Sequence, residues 1–310
     1  MKRIHEVPSL ARLKRDAHKR DRGRVLVVAG SVRMSGAARL AGWGALRGGA
    51  GLVTVATPAE VQPLVAADLP CAMTVPLQSR KGVLGAAAAV AAREAAENAD
   101  AIVIGPGLTT GVAAFLRRFL KGLSQPIVLD ADALTLLAEH EELRNAGGEA
   151  RVLTPHPGEA ARILHREIPR AKVGRLEAAT DIAEMCGAVC VLKGAGTIVC
   201  DGDRWYHNRT GNPGMATGGT GDVLAGLIGA LLARGGDPLT AAVQGVWIHG
   251  RAGDLASAAI GENSMIATDL VANLPAALAE VVESNPRGRK PADKKTESDG
   301  KRSRGSGRAR

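Results

Sequence analysis

Short β-branched runs alternate with longer stretches of helical periodicity through the first two-thirds of the chain. Runs at 25–29, 52–56, 101–105, 126–130, 152–154 and 188–193 are apolar at odd and even positions alike. That pattern predicts strands of a parallel sheet covered by helices on both faces. Helices are predicted between them at 36–49, 59–66, 85–98, 112–121, 131–142, 158–164 and 173–187. Residues 197–200, the turn Asp201-Gly202-Asp203 and residues 204–207 read as a β-hairpin, an antiparallel pair at the edge of the sheet. From Asp222 onward only helical periodicity remains, at 222–234, 238–257 and 268–283. Gly235-Gly236-Asp237-Pro238 marks one helix stop and a new start, with Pro in the first turn. The expected architecture is α/β, with one domain over 25–285 and no internal repeat or linker.

Composition sharpens this picture. Hydrophobic residues make up 45% of the 310, but aromatics only 2%. Such a core must be built from Ala, Val, Leu and Ile, which suits helix-on-sheet layers. The formal charge of +9 sits at the ends. Ten Lys/Arg against three Asp/Glu lie in 286–310, and nine against three in 1–24, leaving the body near −4. Residues 1–24 are therefore set apart as a basic segment. Residues 286–310 are expected to be a disordered basic tail. Such an arm can touch nucleic acid, but the active region need not. Cys71, Cys186, Cys190 and Cys200 form no C-x-x-C pair and read as small buried apolar residues in a reducing compartment. No secretory h-region or membrane-length apolar run is present, so a soluble cytoplasmic protein is expected.

The chemistry-bearing residues fall where strands give way to helices, the rim at which open α/β sheets bind ligands. Most informative is Asn212-Pro213-Gly214-Met215-Ala216-Thr217-Gly218-Gly219-Thr220-Gly221-Asp222, which opens an apolar helix. A Gly-rich turn at a helix start aims free N–H groups and the positive dipole end at one point, as a phosphate requires. Asp222 adds a carboxylate in the first turn. Phosphoryl transfer needs one to hold the proton of an attacking hydroxyl; a helix N-terminus also favours Asp by itself. Gly105-Pro106-Gly107 permits close backbone approach or forms a simple turn. Asp130 is a candidate ligand for Mg²⁺ through water, and Asp132 a candidate helix cap. His156, held between Pro155 and Pro157, is a candidate ligand contact, with Glu159 in the next helix's first turn. Lys193-Gly194-Ala195-Gly196-Thr197 offers exposed backbone and a point charge for a nucleotide, or a tight β-turn with a solvated Lys. Gly36-Ala37-Ala38 begins a helix able to receive a polar substrate. Neither the dinucleotide fingerprint nor the P-loop is present.

Taken together, these five strand-end segments, from Gly105-Pro106-Gly107 to the 212–222 turn, resemble the NAD(P)H-hydrate dehydratase family over roughly residues 24–283. The resemblance implies a ribokinase-like three-layer α/β/α fold with a mainly parallel central sheet and an antiparallel edge hairpin. It implies repair of (S)-NADHX or (S)-NADPHX with ADP or ATP as co-substrate and Mg²⁺ as cofactor. It further implies Asp222 as the base and Gly218, Gly219, Thr220 and Gly221 as the anion hole. Lys193, Gly194, Ala195, Gly196, Thr197 and Gly221 are assigned to the nucleotide. Ala38, Gly107, His156 and Asp222 are assigned to the hydrate. A homotetramer or larger assembly follows by the same likeness, with no nucleic acid or membrane required. One departure is the loop Val32-Arg33-Met34-Ser35, where members often carry Tyr and Thr. A helix N-terminus is expected to lower the basicity of Asp222. The rival reading is an alcohol kinase of the same superfamily, of thiazole or pyrimidine type, which the Gly-rich turn and Asp222 would serve equally. A second rival is a nucleotide-binding regulator that uses the basic tail on nucleic acid.

Overall fold

The computed structural model describes residues 1–148 and 150–282; the expected tail at 286–310 lies outside them. Its strands are β1 (Lys2–Ile4), β2 (Arg24–Val28), β3 (Leu52–Pro58), β4 (Met73–Leu77), β5 (Ser79–Arg80), β6 (Val83–Leu84), β7 (Ala101–Ile104), β8 (Ile127–Leu129), β9 (Arg151–Leu153), β10 (Val189–Leu192), β11 (Ile198–Cys200) and β12 (Arg204–His207). Its helices are α1 (Ser35–Arg47), α2 (Gln62–Asp68), α3 (Ala89–Ala96), α4 (Ala113–Leu120), α5 (Asp132–Glu139), α6 (Pro157–Leu164), α7 (Lys172–Cys186), α8 (Thr220–Ala233), α9 (Pro238–Ile260) and α10 (Ala267–Val281).

Ten strands make one sheet in the order β1-β12-β11-β10-β9-β8-β7-β2-β3-β4. Every neighbouring pair is parallel except the two that involve β11, which alone runs against the rest. The predicted hairpin is thus present at one end of the sheet, with β1 added outside it. Two strands of this sheet escape the sequence pattern for physical reasons. β1 is short and reads Lys-Arg-Ile, with no apolar alternation. β4 contains Pro76, which argues against a strand, but β4 is the last strand at its end of the sheet, where a missing N–H is tolerated.

The pleat sorts side chains by size. Val25, Val27, Ala101, Val103, Val128 and Val152 face α1, α8, α9 and α10. Leu26, Ile102, Ile104, Ile127, Leu129 and Leu153 face α3 to α7. Small residues on the first face admit helices at close range. A Cβ on Gly229 would lie 2.3 Å from Val103 Cγ2, and one on Gly226 2.0 Å from the Ala41 carbonyl oxygen. A Cβ on Gly44 of α1 would likewise meet the Val223 carbonyl oxygen at 2.3 Å, so α1 and α8 touch backbone to backbone. Gly226→Ala is a direct check. Helix propensity favours Ala by about 1 kcal/mol. The clash is with backbone, however, and overpacking of this kind costs about 1–3 kcal/mol or more. Calorimetry should show a lower melting temperature; an increase would mean that α1 yields freely.

Cys186, Cys190 and Cys200 are buried as expected, but Cys71 is exposed, because it falls in the turn between α2 and β4 rather than on a packed element. Among the described residues no helix is long and apolar enough to cross a membrane.

Candidate active site

The predicted segments converge along the carboxyl rim of the sheet. β7 is followed by Gly105, whose φ of 124° only glycine adopts readily; a Cβ there would strike the Asp130 carbonyl oxygen at 1.8 Å. Gly107 backs onto the start of α1, where a Cβ would sit 2.8 Å from Ala37 Cβ and 3.0 Å from the Met34 carbonyl oxygen. The structure thus brings Gly107 and the Gly36-Ala37-Ala38 turn together. Ala38 is fully buried, backbone included, while a Cβ on Gly36 would meet nothing within 4 Å.

β8 delivers Asp130 and Asp132 around Ala131, a non-glycine residue at φ 51°. That conformation costs free energy and is held by its surroundings. Asp132 does not cap α5. It is the helix's first residue, and its Oδ2 accepts from the Thr109 N–H at 2.8 Å, tying the β7 loop to the β8 loop. Asp130 is buried and its Oδ1 accepts from Thr154 Oγ1 at 2.6 Å and from Lys193 Nζ at 2.8 Å.

His156 is the N-cap of α6. Its Nδ1 accepts from the N–H groups of Gly158 (3.0 Å) and Glu159 (3.2 Å), while Glu159 Oε2 accepts from the His156 N–H at 2.8 Å. This is a capping box with His in the usual Ser/Thr place. Nδ1 as acceptor puts the ring hydrogen on Nε2, and burial, then the Lys193 and Arg162 charges, lower the imidazole pKa. Glu159, unlike the exposed His156, is buried, and burial lifts its carboxyl to about 7 against the pull of Lys193.

The Lys193 ammonium is the hub of the site. It lies 2.8 Å from Asp130 Oδ1 and 4.0 Å from Glu159 Oε2, and a Cβ on Gly221 would stand 3.4 Å from it. Its side chain is one-fifth exposed, which excludes the solvated Lys of a plain β-turn. Burial opposes its charge, but Asp130 and Glu159 outweigh that and raise its pKa. Arg175 of α7, not singled out in the sequence, donates to the carbonyls of Leu192, Lys193 and Ala195 and so shapes the Lys193–Thr197 loop. Gly194 and Gly196 there have φ of 131° and 66°.

Facing this hub is the start of α8. Gly219, at φ 92°, is its N-cap and no side chain caps the helix. The Thr220 hydroxyl donates to the Met215 and Thr217 carbonyls and closes the turn from within. The first bond of the helix runs from the Val223 N–H to the Gly219 carbonyl, so the N–H groups before it have no partner within the helix. A Cβ on Gly218 would meet nothing within 4 Å. Asp222 is half-buried. Burial, then the Asp130 charge, raise its carboxyl to about 7, with Lys193 pulling the other way. The lowered basicity expected from the helix N-terminus is therefore reversed: loss of solvent and a neighbouring carboxylate win. Among the described residues no three ligating side chains gather as a metal cage.

Residues 25–276 match the family model described as NAD(P)H-hydrate dehydratase. A relative from Moorella thermoacetica named "Bifunctional NAD(P)H-hydrate repair enzyme Nnr" is 41% identical over 278 residues, 88% of this chain and 52% of its own length. The chain spans about half the length of such bifunctional relatives. A relative from Xanthomonas campestris pv. campestris named "ADP-dependent (S)-NAD(P)H-hydrate dehydratase" is 40% identical over 87% of this chain and 91% of its own length. Among solved structures, an ADP/ATP-dependent NAD(P)H-hydrate dehydratase from Bacillus subtilis, co-crystallised with ATP and Mg²⁺, superposes with a TM-score of 0.74. It is 32% identical, and the match covers 90% of this chain and all of the other.

Proposed function

The chain belongs to the NAD(P)H-hydrate dehydratase family, and from that premise we propose that it restores (S)-NADHX and (S)-NADPHX to NADH and NADPH at the expense of ADP. The observation that carries this reading is the meeting of a half-buried, weakly acidic Asp222 with the open N–H groups of the α8 turn. A carboxyl near pKa 7 is matched to taking a proton at neutral pH.

The hydrate hydroxyl attacks the terminal phosphorus of the nucleotide while Asp222 accepts its proton. The bond from that phosphorus to the departing AMP oxygen breaks. The N–H groups of Gly218 to Gly221 stabilise charge on the phosphoryl group in flight. Hydroxide is a poor leaving group and phosphate a good one, so the lone pair of the ring nitrogen then expels phosphate, and loss of a ring proton restores the double bond. Gly107, His156, Asp222 and the α1 start beside Ala38 hold the hydrate. His156 offers its Nε2 hydrogen, since Nδ1 is committed to the helix cap. The Lys193–Thr197 loop, shaped by Arg175, and Gly221 hold the nucleotide. Asp130 would face, through water, a Mg²⁺ carried on the nucleotide phosphates, and such an ion would supply neutralisation of phosphate charge there.

The alcohol-kinase alternative is set aside, because the relatives that match most of the chain are named for hydrate repair. The enzyme works in the cytoplasm as a homo-oligomer of four or more subunits, which light scattering would test. Purified protein given (S)-NADHX, Mg²⁺ and either ADP or ATP should regenerate reduced-nicotinamide absorbance, faster with ADP, and release one phosphate per turnover. A stable phosphorylated alcohol in place of that absorbance would favour the kinase.

A further inference from the structure

The segment from β12 to α8 is fastened along one side to α9. Asn208 Nδ2 donates to the Val246 carbonyl at 3.1 Å, and Thr210 Oγ1 to the Trp247 carbonyl at 3.0 Å. The Gly211 N–H is held by both oxygens of Asp254, at 3.1 and 3.0 Å. The Met215 sulfur packs so closely on α9 that a Cβ on Gly253 would approach it to 2.3 Å. One α9 side chain reaches past this lead-in to the turn itself: His249 Nε2 lies 2.8 Å from the Thr220 carbonyl oxygen.

A carbonyl oxygen only accepts, so His249 Nε2 carries the hydrogen and donates it. The ring is buried, and burial pushes its pKa down to about 4, so it stays neutral at working pH. Thr220 is the first residue of α8, and the helix pattern already supplies its carbonyl with one bond from four residues on. His249 occupies the second lone pair. The carbonyl of Thr220 and the N–H of Gly221 belong to one planar peptide unit and leave it in opposite directions. A donor pulling on that oxygen fixes the plane and makes the N–H on the far edge a stronger donor.

We propose that His249 is a positioning residue for the phosphoryl turn, fixing and polarising the Thr220–Gly221 peptide so that the Gly221 N–H is set toward the transferring group. The inference rests on the reading above that this turn receives the phosphoryl group.

Three substitutions test it. His249→Phe keeps a buried ring but removes the donor. His249→Gln returns a donor at nearly the reach of Nε2, and His249→Asn supplies the same amide too short. The Phe and Asn variants should lose about ten- to a hundred-fold in kcat, less than deletion of an oxyanion donor. Their KM for the hydrate should stay within about twofold, and Gln should recover most of kcat. Affinity for ADP with aluminium fluoride, a mimic of the phosphoryl group in transfer, should weaken in Phe and Asn while affinity for ADP alone holds. In ligand-free protein the Gly221 amide proton resonance should move upfield in Phe and Asn and return in Gln. A Phe variant with unchanged kcat would overturn the inference. So would Gln and Asn variants equally impaired in kcat and KM, which means packing alone. If Phe fails to fold, the contrast between Gln and Asn decides. Should the unaltered protein fail to process (S)-NADHX, the functional reading falls, and the Gly221 resonance still judges His249.

Discussion

Asp222→Asn is expected to reduce turnover of (S)-NADHX by about two to four orders of magnitude, the scale of losing a general base, with ADP affinity nearly intact. The substitution keeps shape and removes proton acceptance. Because burial and Asp130 raise the carboxyl to about 7, the unaltered enzyme should lose kcat/KM as pH falls through 7, and the Asn variant should lack that limb. Stability should move the other way. The folded-state pKa lies above the unfolded one, so charging Asp222 costs stability, a loss that accumulates as pH rises from the ordinary carboxylate value of 3.8 to about 7 and is complete above it. Asn carries no such charge. Differential scanning calorimetry at pH 8 should therefore give a higher melting temperature for the variant than for the parent, with little difference at pH 4. A variant both active and unshifted would remove Asp222 from the base role. The pairing of lost rate with gained stability is the trade-off expected of a group held in place for chemistry.

Lys193→Met is expected to do more than weaken nucleotide binding. Asp130 is buried, and its Oδ1 takes the Lys193 ammonium at 2.8 Å. Removing one partner of a buried ion pair leaves the other uncompensated, at a cost of about 3–5 kcal/mol. Glu159, 4.0 Å away, loses its nearest cation as well. Lys193 also holds down the pKa of Asp222, so its loss should push that carboxyl further up. The acid limb of the rate profile should shift to higher pH, and activity at pH 7 should fall more than activity at pH 9. A normal melting temperature with only a raised KM for ADP would mean that the ammonium serves the nucleotide alone.

Much of this arrangement is legible in the sequence. Strands such as β2, β7 and β8 are apolar on both faces, and the pleat then sorts Val and Ala to one side and, Val28 apart, Leu or Ile to the other. Each Gly-bearing or acidic segment was placed at a strand end, and the rim gathers them. What the sequence hides depends on strand order. Lys193 meets Asp130 because β9 alone separates β8 from β10, and no local pattern carries that spacing. The basicity of Asp222 is misjudged for the same reason, since the helix end is local but Asp130 and burial are not. Asp132 reads as a cap by position, yet bonds to the Thr109 N–H across the site. His249 gives only a faint signal, a polar residue among buried neighbours in α9, and Arg175 gives none, since Val173 and Glu177 near it are exposed.

The reversed strand β11 has a mechanical result. A parallel successor to β10 would have required a long helical crossover to bring the chain back to the working rim. Instead the chain goes out along β11 and returns along β12, so His207 re-emerges beside the loop that β10 left: a Cβ on Gly196 would lie 2.6 Å from His207 Nε2. The cradle assigned to the nucleotide and the turn assigned to the travelling phosphoryl group are thus two ends of one short, sheet-anchored tether.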